Sequence, residues 1–203
     1  KYGCMATYNF KNKQERNISS WPNLGVNFFG IPKNAHTAVM THLYRQEHSR
    51  PDFDVGFDIH NQSKGHTKFI TEEESVSNGC VNFAIVRDPI SRFLSMYKDL
   101  CLTRKKRGKT ARVWGMELDQ FLDHLFKTPY HRLDIHFVRQ VDFVPPYVDR
   151  IFKLESLFQD WNFEFPCVNE SKNSIPFADI SLTDPQIKRI QEFYREDLAR
   201  FKF

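Results

Sequence analysis

The segment Val81–Val86 constrains the fold of this chain more than any other, because every residue in it except Asn82 is apolar. A strand that is apolar on both faces is typical of the middle of a parallel sheet. The sequence Arg87-Asp88-Pro89 follows at once, and proline suits the first turn of a helix. Apolar side chains then recur at helical spacing as far as about Leu102. We therefore expect a buried strand, a turn and a helix.

A second unit of the same kind lies earlier in the chain. Val26–Ile31 has the pattern of a short buried strand that Pro32 stops, and Thr37–Gln46 carries apolar residues on one helical face. Similar patterns predict a helix over Leu118–Phe126, a strand over Ile151–Leu154 and a closing helix over Asp184–Phe201 with Thr183 as its N-cap. Strands that alternate with helices predict an α/β domain with a parallel sheet.

The remaining segments lack such patterns. Residues 1–26 are polar and predict a loop, so that 1–25 form a loop-like N-terminal extension. The stretch Arg50–Asn78 predicts irregular structure in which only Thr67–Ile70 indicates a strand. No linker rich in glycine and serine divides the chain, so we expect a single domain over residues 1–203.

Composition excludes several classes of protein. Hydrophobic residues make up 40% and charged residues 27% of the chain, which excludes collagen-like, coiled-coil and disordered proteins. No apolar run approaches the roughly 18–20 residues that span a bilayer. The formal net charge of +4 permits an anionic ligand without requiring nucleic acid. The four cysteines lie far apart without metal-binding spacing, so free buried thiols are expected, with one or two disulfides as the alternative.

The turn between the first strand and its helix has the features of an anion site. A helix that begins after a buried strand offers unpaired amides and the positive end of its dipole, which together attract phosphate. Lys33 adds a cation and Thr37 a hydroxyl donor. The spacing is close to the nucleotide-binding pattern G-x-x-x-x-G-K-[ST], but Ala35 and His36 stand where that pattern has Gly and Lys.

The second strand ends on another group suited to a phosphate. Arg87 follows the strand directly, where α/β sheets place their ligands. Ser95 lies two turns into the next helix, so its hydroxyl can face the same ligand. An arginine fork with a hydroxyl suits a monophosphate. Two such strand ends in one chain predict a ligand with two separated anionic groups.

These two segments together resemble the carbohydrate sulfotransferase family, whose members use 3′-phosphoadenosine 5′-phosphosulfate (PAPS). Ile31–Thr37 is similar to the family's P-K-x-x-x-[ST] loop, and Arg87–Tyr97 to its R-D-P-x-x-R-x-x-S-x-Y segment. His136–Gln140 resembles an H-x-x-x-Q segment, Ile151–Leu157 the last sheet strand and Leu182–Phe203 the closing helix. The resemblance covers residues 26–203 in order.

The resemblance implies a three-layer, P-loop-like α/β domain with a central parallel sheet flanked by helices, and transfer of a sulfonate from PAPS to a sugar hydroxyl without a metal. It implies that Lys33 contacts the leaving-group oxygen and that Arg87 and Ser95 hold the 3′-phosphate. Donors around the 5′-phosphate would come from Asn34, Ala35, His36, Thr37 and Ala38. Because negative charge grows on the leaving oxygen, positioned cations and amides can stabilise the transition state.

The acceptor and the base are also expectations. A basic run that could attract an acidic polysaccharide contains Arg104, Lys105, Lys106 and Arg107; a solvated loop is the alternative. The acceptor hydroxyl must lose a proton during attack, and four histidines are candidates: His36, His60, His66 and His136. His66 is favoured because Gly65-His66 resembles the segment that carries the base in the uronyl 2-O-sulfotransferase branch, and His60 is the second choice.

Two other functions compete with this interpretation. A nucleotide kinase or NTPase on a related fold would need the Gly and Lys that the loop lacks, and also a metal-binding Asp. A non-catalytic module would bind a glycan but no nucleotide. We expect no nucleic-acid partner, because the basic run lacks interleaved aromatic residues. Length and the lack of a membrane anchor favour a cytoplasmic microbial or viral protein; a trimmed animal enzyme would belong to the Golgi lumen.

Overall fold

The computed structural model describes residues 8–10, 16–52, 56–103, 112–157 and 180–203. The chain groups into two compact units. The sheet unit is formed by Phe10–Arg87 and Phe143–Ser171, and the helical unit by Lys1–Asn9, Asp88–Asp142 and Lys172–Phe203. The single domain predicted over residues 1–203 stays a prediction.

The sheet unit contains a mixed five-stranded sheet in the order β3-β1-β2-β4-β5. Its strands are β1 (Ile18–Trp21), β2 (Val26–Phe29), β3 (Lys68–Phe69), β4 (Val81–Val86) and β5 (Arg150–Lys153). Strand β4 lies between β2 and β5 and is parallel to both, as its apolar sequence predicts. Strand β1 is antiparallel to β2 and β3. The α/β fold with its parallel central strands is confirmed. Within this sheet β1 runs opposite to the other strands, since β3 is antiparallel to β1 and therefore runs in the same direction as β2.

Strand β1 contradicts the loop predicted for the N-terminal residues. Ser19 and Ser20 are buried in β1, and Ser19 Oγ accepts a hydrogen bond of 3.0 Å from Nε1 of Trp21. A turn over Pro22–Leu24 then joins β1 to β2, with Gly25 in the left-handed region at a φ of 66°. The polar residues misled the prediction, because their burial depends on partners elsewhere in the sheet.

Among its described residues, the sheet unit contains the helices α1 (His36–His48) and α2 (Glu72–Ser77). Helix α1 confirms the predicted helix and packs Val39, Met40 and Leu43 into a core that contains Phe28 and Phe83. The two phenylalanine rings stack with centroids 5.0 Å apart, because their strands pair in register.

Helix α2 lies in the stretch predicted to be irregular. Thr71 accepts at its N-terminus from the backbone of Glu74, whose side chain accepts in return from the amide of Thr71. This capping box stabilises a short polar helix that has no apolar pattern. The strand indicated at Thr67–Ile70 is present as β3.

The helical unit contains α3 (Pro89–Tyr97), α4 (Leu118–Lys127), α5 (Gln140–Phe143, whose last residue falls in the sheet unit), α6 (Asp184–Phe193) and α7 (Arg195–Phe201). A π-helical segment, Lys98–Thr103, continues α3. The closing helix predicted as continuous is broken at Tyr194, which is buried and donates a hydrogen bond of 3.1 Å from its hydroxyl to the Phe137 carbonyl. Aromatic rings again dominate the core, including Phe93 and Phe121.

Two of the four cysteines fall within the described residues. Cys80 and Cys101 are both free, and Cys101 is buried, which raises the pKa of its thiol to about 12. Cys4 and Cys167 lie outside the described residues. No helix in the described ranges is long and apolar enough to cross a bilayer.

Candidate functional site

The loop between β2 and α1 has a backbone suited to an anion. Lys33 and Ala35 adopt the left-handed region with φ of 72° and 56°, although neither is glycine. Such strained conformations cluster at ligand sites, where they turn successive amides toward one point. Helix α1 has no side-chain cap and no acid in its first turn, whereas α2 has a capping box and three glutamates. The positive end of α1 is therefore not neutralised by its own first turn.

Gly30, the first residue of this loop, makes room for His36. A Cβ atom on Gly30 would lie 2.1 Å from Nε2 of His36, a distance that no side chain tolerates. The His36 ring also packs against Phe28, with centroids 5.6 Å apart. The His36 imidazole thus packs against Gly30 and Phe28, at the carboxyl end of β2.

Strand β4 fixes the same loop from the other side. Arg87, directly after β4, donates from Nη1 to the Lys33 carbonyl at 3.1 Å. Asn34 is buried and donates from Nδ2 to the Ile85 carbonyl at 2.9 Å. The first of these bonds joins Arg87 to the backbone of Lys33, and the second joins the loop to β4. Asn34 therefore has a structural role, to tie the loop to β4, which the sequence did not predict.

His60 contacts the loop through Thr37. Thr37 Oγ1 lies 2.8 Å from Nε2 of His60, and the rings of His36 and His60 are 4.6 Å apart. Burial lowers the pKa of His60 to about 4, so its imidazole is neutral at physiological pH. The segment that carries His60 is anchored by Thr67, whose hydroxyl donates to the Ile59 carbonyl at 2.7 Å. His60, the second choice for the base, thus contacts the loop at Thr37.

His66 has a different neighbour. Its ring packs edge-on against Tyr44, with centroids 5.5 Å apart. Tyr44 lies eight residues after His36, about 12 Å further along the axis of α1. The base assignment to His66 stays a prediction.

The remaining residues of the Arg87–Tyr97 motif belong to the helical unit. Asp88 caps α3, since its Oδ2 accepts from the amide of Ser91 at 2.7 Å. Arg92 is buried, donates from Nη2 to the His136 carbonyl at 3.2 Å, and places its guanidinium 5.9 Å from the centre of the Tyr194 ring. Arg92 is therefore a packing residue, and only its place in the motif marks it in the sequence. Ser95 is half-buried on the second turn of α3.

Of the other predicted residues, two lie within the described ranges and four lie outside them. His136 is half-buried in the helical unit, and its Nδ1 lies 2.6 Å from Oδ1 of Asp134. Ala38 is half-buried on the first turn of α1. The four predicted acceptor-binding residues, Arg104, Lys105, Lys106 and Arg107, lie outside the described residues. Within the described ranges, no group of three or more His, Cys, Asp or Glu residues is arranged to hold a metal ion.

Comparison with known proteins is consistent with this geometry. A search of curated proteins and a search of solved structures returned no match. A scan of protein-family models matched residues 21–203 to the description "Sulfotransferase family". The match covers nearly the whole chain, including the loop after β2, Arg87 and all of α3 through α7. The chain therefore belongs to the sulfotransferase family, and it is an enzyme that transfers a sulfonyl group.

Proposed function

We propose that the chain transfers the sulfonate of PAPS to a hydroxyl group of a carbohydrate. The observation that carries this proposal is the loop of Lys33 and Ala35, whose left-handed residues precede the uncapped N-terminus of α1 while Arg87 bonds to its backbone. A phosphosulfate is an anion that such a loop can surround with amides. The carbohydrate acceptor is proposed from the sequence resemblance.

The chain's residues fit the anionic groups of this donor. We place the 5′-phosphosulfate at the loop, where the Thr37 hydroxyl and the first-turn amides of α1 supply donors. We assign the 3′-phosphate to Arg87 and Ser95, as the family resemblance implies. The Nη1 of Arg87 donates to the Lys33 carbonyl, and this bond holds the guanidinium beside the loop.

Lys33 is assigned to stabilise the negative charge that develops on the leaving oxygen during the reaction. Sulfonate transfer is an in-line displacement: the acceptor oxygen bonds to sulfur as the bond from sulfur to the bridging oxygen breaks. That oxygen leaves with the nucleotide and gains negative charge. A cation aimed at it stabilises the transition state more than the ground state, which raises turnover rather than affinity.

Removal of the acceptor's proton is assigned to a histidine. His66 remains the first candidate by resemblance. His60 is a second candidate, and its bond to Thr37 supports a further task, orientation of the Thr37 hydroxyl. The two roles predict different losses, because a missing base reduces turnover whereas a misplaced hydroxyl weakens donor binding.

The test is a thermal shift with adenosine 3′,5′-bisphosphate, the product nucleotide, against ATP with magnesium. At a hundredfold excess over its dissociation constant a ligand adds about 2.7 kcal/mol to stability. We expect a clear shift with the bisphosphate, a reduced shift in Arg87→Ala, and an unchanged shift in Arg150→Ala, which removes an exposed cation at the amino end of β5. No shift with the bisphosphate, or a larger shift with ATP and magnesium, would overturn the proposal.

A further inference from the structure

The ring of His136 is held in one orientation by Asp134. Oδ1 of Asp134 accepts from the backbone amide of His136 at 3.0 Å and lies 2.6 Å from Nδ1 of its ring. An ionised carboxylate only accepts hydrogen bonds, so Nδ1 carries the hydrogen of this second bond. In the neutral imidazole Nε2 then has a lone pair and no hydrogen. The ring therefore offers a hydrogen-bond acceptor on the nitrogen that Asp134 does not contact.

The ring is accessible, and its Nε2 atom makes no hydrogen bond to the part of the chain that the structure describes. The side chain of His136 is 23% exposed. Among the described residues, its hydrogen bonds are the two to Asp134 and one that its carbonyl accepts from Nη2 of Arg92 at 3.2 Å. Such a histidine is suited to bind a ligand, because one nitrogen fixes the ring while the other is left for the ligand.

The backbone that follows His136 is fixed by buried groups of the helical unit. The Tyr194 hydroxyl donates to the Phe137 carbonyl at 3.1 Å. Asp197 is fully buried and accepts at 2.9 Å from the amides of each of the first two residues of α5. Burial of a carboxylate is costly, so these bonds indicate a segment whose position matters. A side chain on such a preorganised segment loses little freedom on binding a ligand.

The same segment lies next to a helix that is assigned to the donor. The buried guanidinium of Arg92, which bonds to the His136 carbonyl, belongs to α3. Ser95, to which the proposed function assigns the 3′-phosphate, follows Arg92 by three residues, so the two are neighbours on the surface of α3. In the donor nucleotide, the hydroxyl group beside the 3′-phosphate is the 2′-hydroxyl of the ribose.

We propose that Nε2 of His136 accepts a hydrogen bond from a hydroxyl group of a bound ligand, and that Asp134 is the positioning residue for this ring. This inference rests on the proposed function. Two hydroxyl groups have the required chemistry, the 2′-hydroxyl of the donor and a hydroxyl of the acceptor glycan, and the place of Ser95 favours the first. No proton transfer is assigned to His136, so the base remains a separate question.

The first experiment measures nucleotide binding by calorimetry. In His136→Asn the amide can still donate to Asp134 from the place of Nδ1, but it has no counterpart of Nε2. The unchanged protein should bind adenosine 3′,5′-bisphosphate about tenfold more tightly than its 2′-deoxy analogue, whereas His136→Asn should bind both alike and about tenfold more weakly. The matched control is His131→Asn, at an exposed histidine of the same unit, which should bind as the unchanged protein does.

The second experiment tests the acceptor as the source of the hydroxyl group. Chondroitin, desulfated heparin and dextran are assayed with PAPS, and KM is measured for each glycan that is sulfated. If the acceptor supplies the hydroxyl group, KM for that glycan should rise about tenfold in His136→Asn while both nucleotide affinities stay unchanged.

Asp134→Ala separates positioning of the ring from a purely structural role. It should reproduce much of the loss seen in His136→Asn, and it should add little to that variant, because the two residues act through one bond. A structural pair would instead lower the melting temperature of Asp134→Ala and leave its nucleotide affinities and KM unchanged, which would contradict the positioning role.

The inference is wrong if His136→Asn keeps the nucleotide affinity, the discrimination against the 2′-deoxy analogue and the acceptor KM of the unchanged protein. Failure of the unchanged protein to bind the bisphosphate would be a different result. It would count against the proposed function itself, and it is observed without any variant.

Discussion

Oγ1 of Thr37 and Nε2 of His60 lie 2.8 Å apart, although 23 residues separate the two along the chain. Because burial keeps His60 neutral, its ring has one protonated nitrogen. With the proton on Nε2, the ring donates to Thr37, and the threonine hydrogen is left to donate to an anion. His60 then acts as a positioning residue for the Thr37 hydroxyl.

The low pKa of His60 predicts a pH-dependent stability. The unfolded chain takes up a proton near pH 6.5, whereas folded His60 does so near pH 4, so stability is full above about pH 6.5 and falls as the pH approaches 4. The loss should reach about 3 kcal/mol at most. His60→Gln should show a smaller loss over the same range. Urea unfolding at several pH values measures both proteins; parallel curves would contradict the assignment.

Substitutions of His60 and His66 are predicted to impair different properties of the enzyme, nucleotide binding and turnover respectively. His66→Ala should lower turnover by ~10²–10⁴-fold and leave binding of adenosine 3′,5′-bisphosphate intact, as expected for a lost base. His60→Ala should weaken nucleotide binding, because Thr37 loses its partner. Steady-state kinetics with PAPS and a panel of glycans, combined with calorimetry, separates the two. Near-normal turnover in His66→Ala would end its assignment as the base.

Substitutions of Lys33 and Arg87 are predicted to have different effects, one mainly on turnover and the other mainly on nucleotide affinity. Arg87→Ala should weaken nucleotide binding by roughly 2–4 kcal/mol, because it removes the proposed bidentate partner of the 3′-phosphate together with the bond to the Lys33 carbonyl. Lys33→Ala should lower turnover at saturating donor more than it lowers affinity. Lys64→Ala, at another lysine of the sheet unit, is the control. Full turnover in Lys33→Ala at saturation would show that its charge does not act on the leaving oxygen.

Gly30 is predicted to be intolerant of any side chain while His36 is present. Gly30→Ala should lower the free energy of unfolding by about 1–3 kcal/mol, because the new Cβ would overlap the His36 ring. In a protein that already carries His36→Ala, the substitution Gly30→Ala should cost much less free energy of unfolding, because the ring that the new Cβ would overlap is absent. A double-mutant cycle from urea unfolding measures this coupling. Additive effects would mean that the ring moves aside without cost.

Elements with a strong local pattern were predictable. Val81–Val86 was located to the residue because both of its faces are buried, and α1 was located by its apolar face. Strand β1 was missed because Ser19 and Ser20 are buried by their neighbours in the sheet and not by their own character. Helix α2 was missed although Thr71 and Glu74, the two residues of its capping box, are visible in the sequence.

In the candidate site, too, the predictable residues are those that a local sequence pattern marks. Lys33 and Arg87 were each predicted to follow a strand, which is where α/β sheets place their ligands. The bond from Arg87 to the Lys33 carbonyl was not predicted. The Thr37–His60 contact was not predictable, since it depends on how an irregular stretch folds back onto α1.

The position of β1 has a practical consequence for producing this protein. The family match begins at Trp21, the last residue of β1, so a protein shortened to that boundary would lose Ile18–Ser20. Strand β3, which pairs with β1 through Ser19 and Ser20, would lose its neighbour, and β2 would present an open edge to other molecules. The Gly30 amide would also lose its bond of 2.9 Å to the Asn17 carbonyl. Expression boundaries drawn ahead of Asn17 keep the loop after β2 anchored and the sheet edge closed to aggregation.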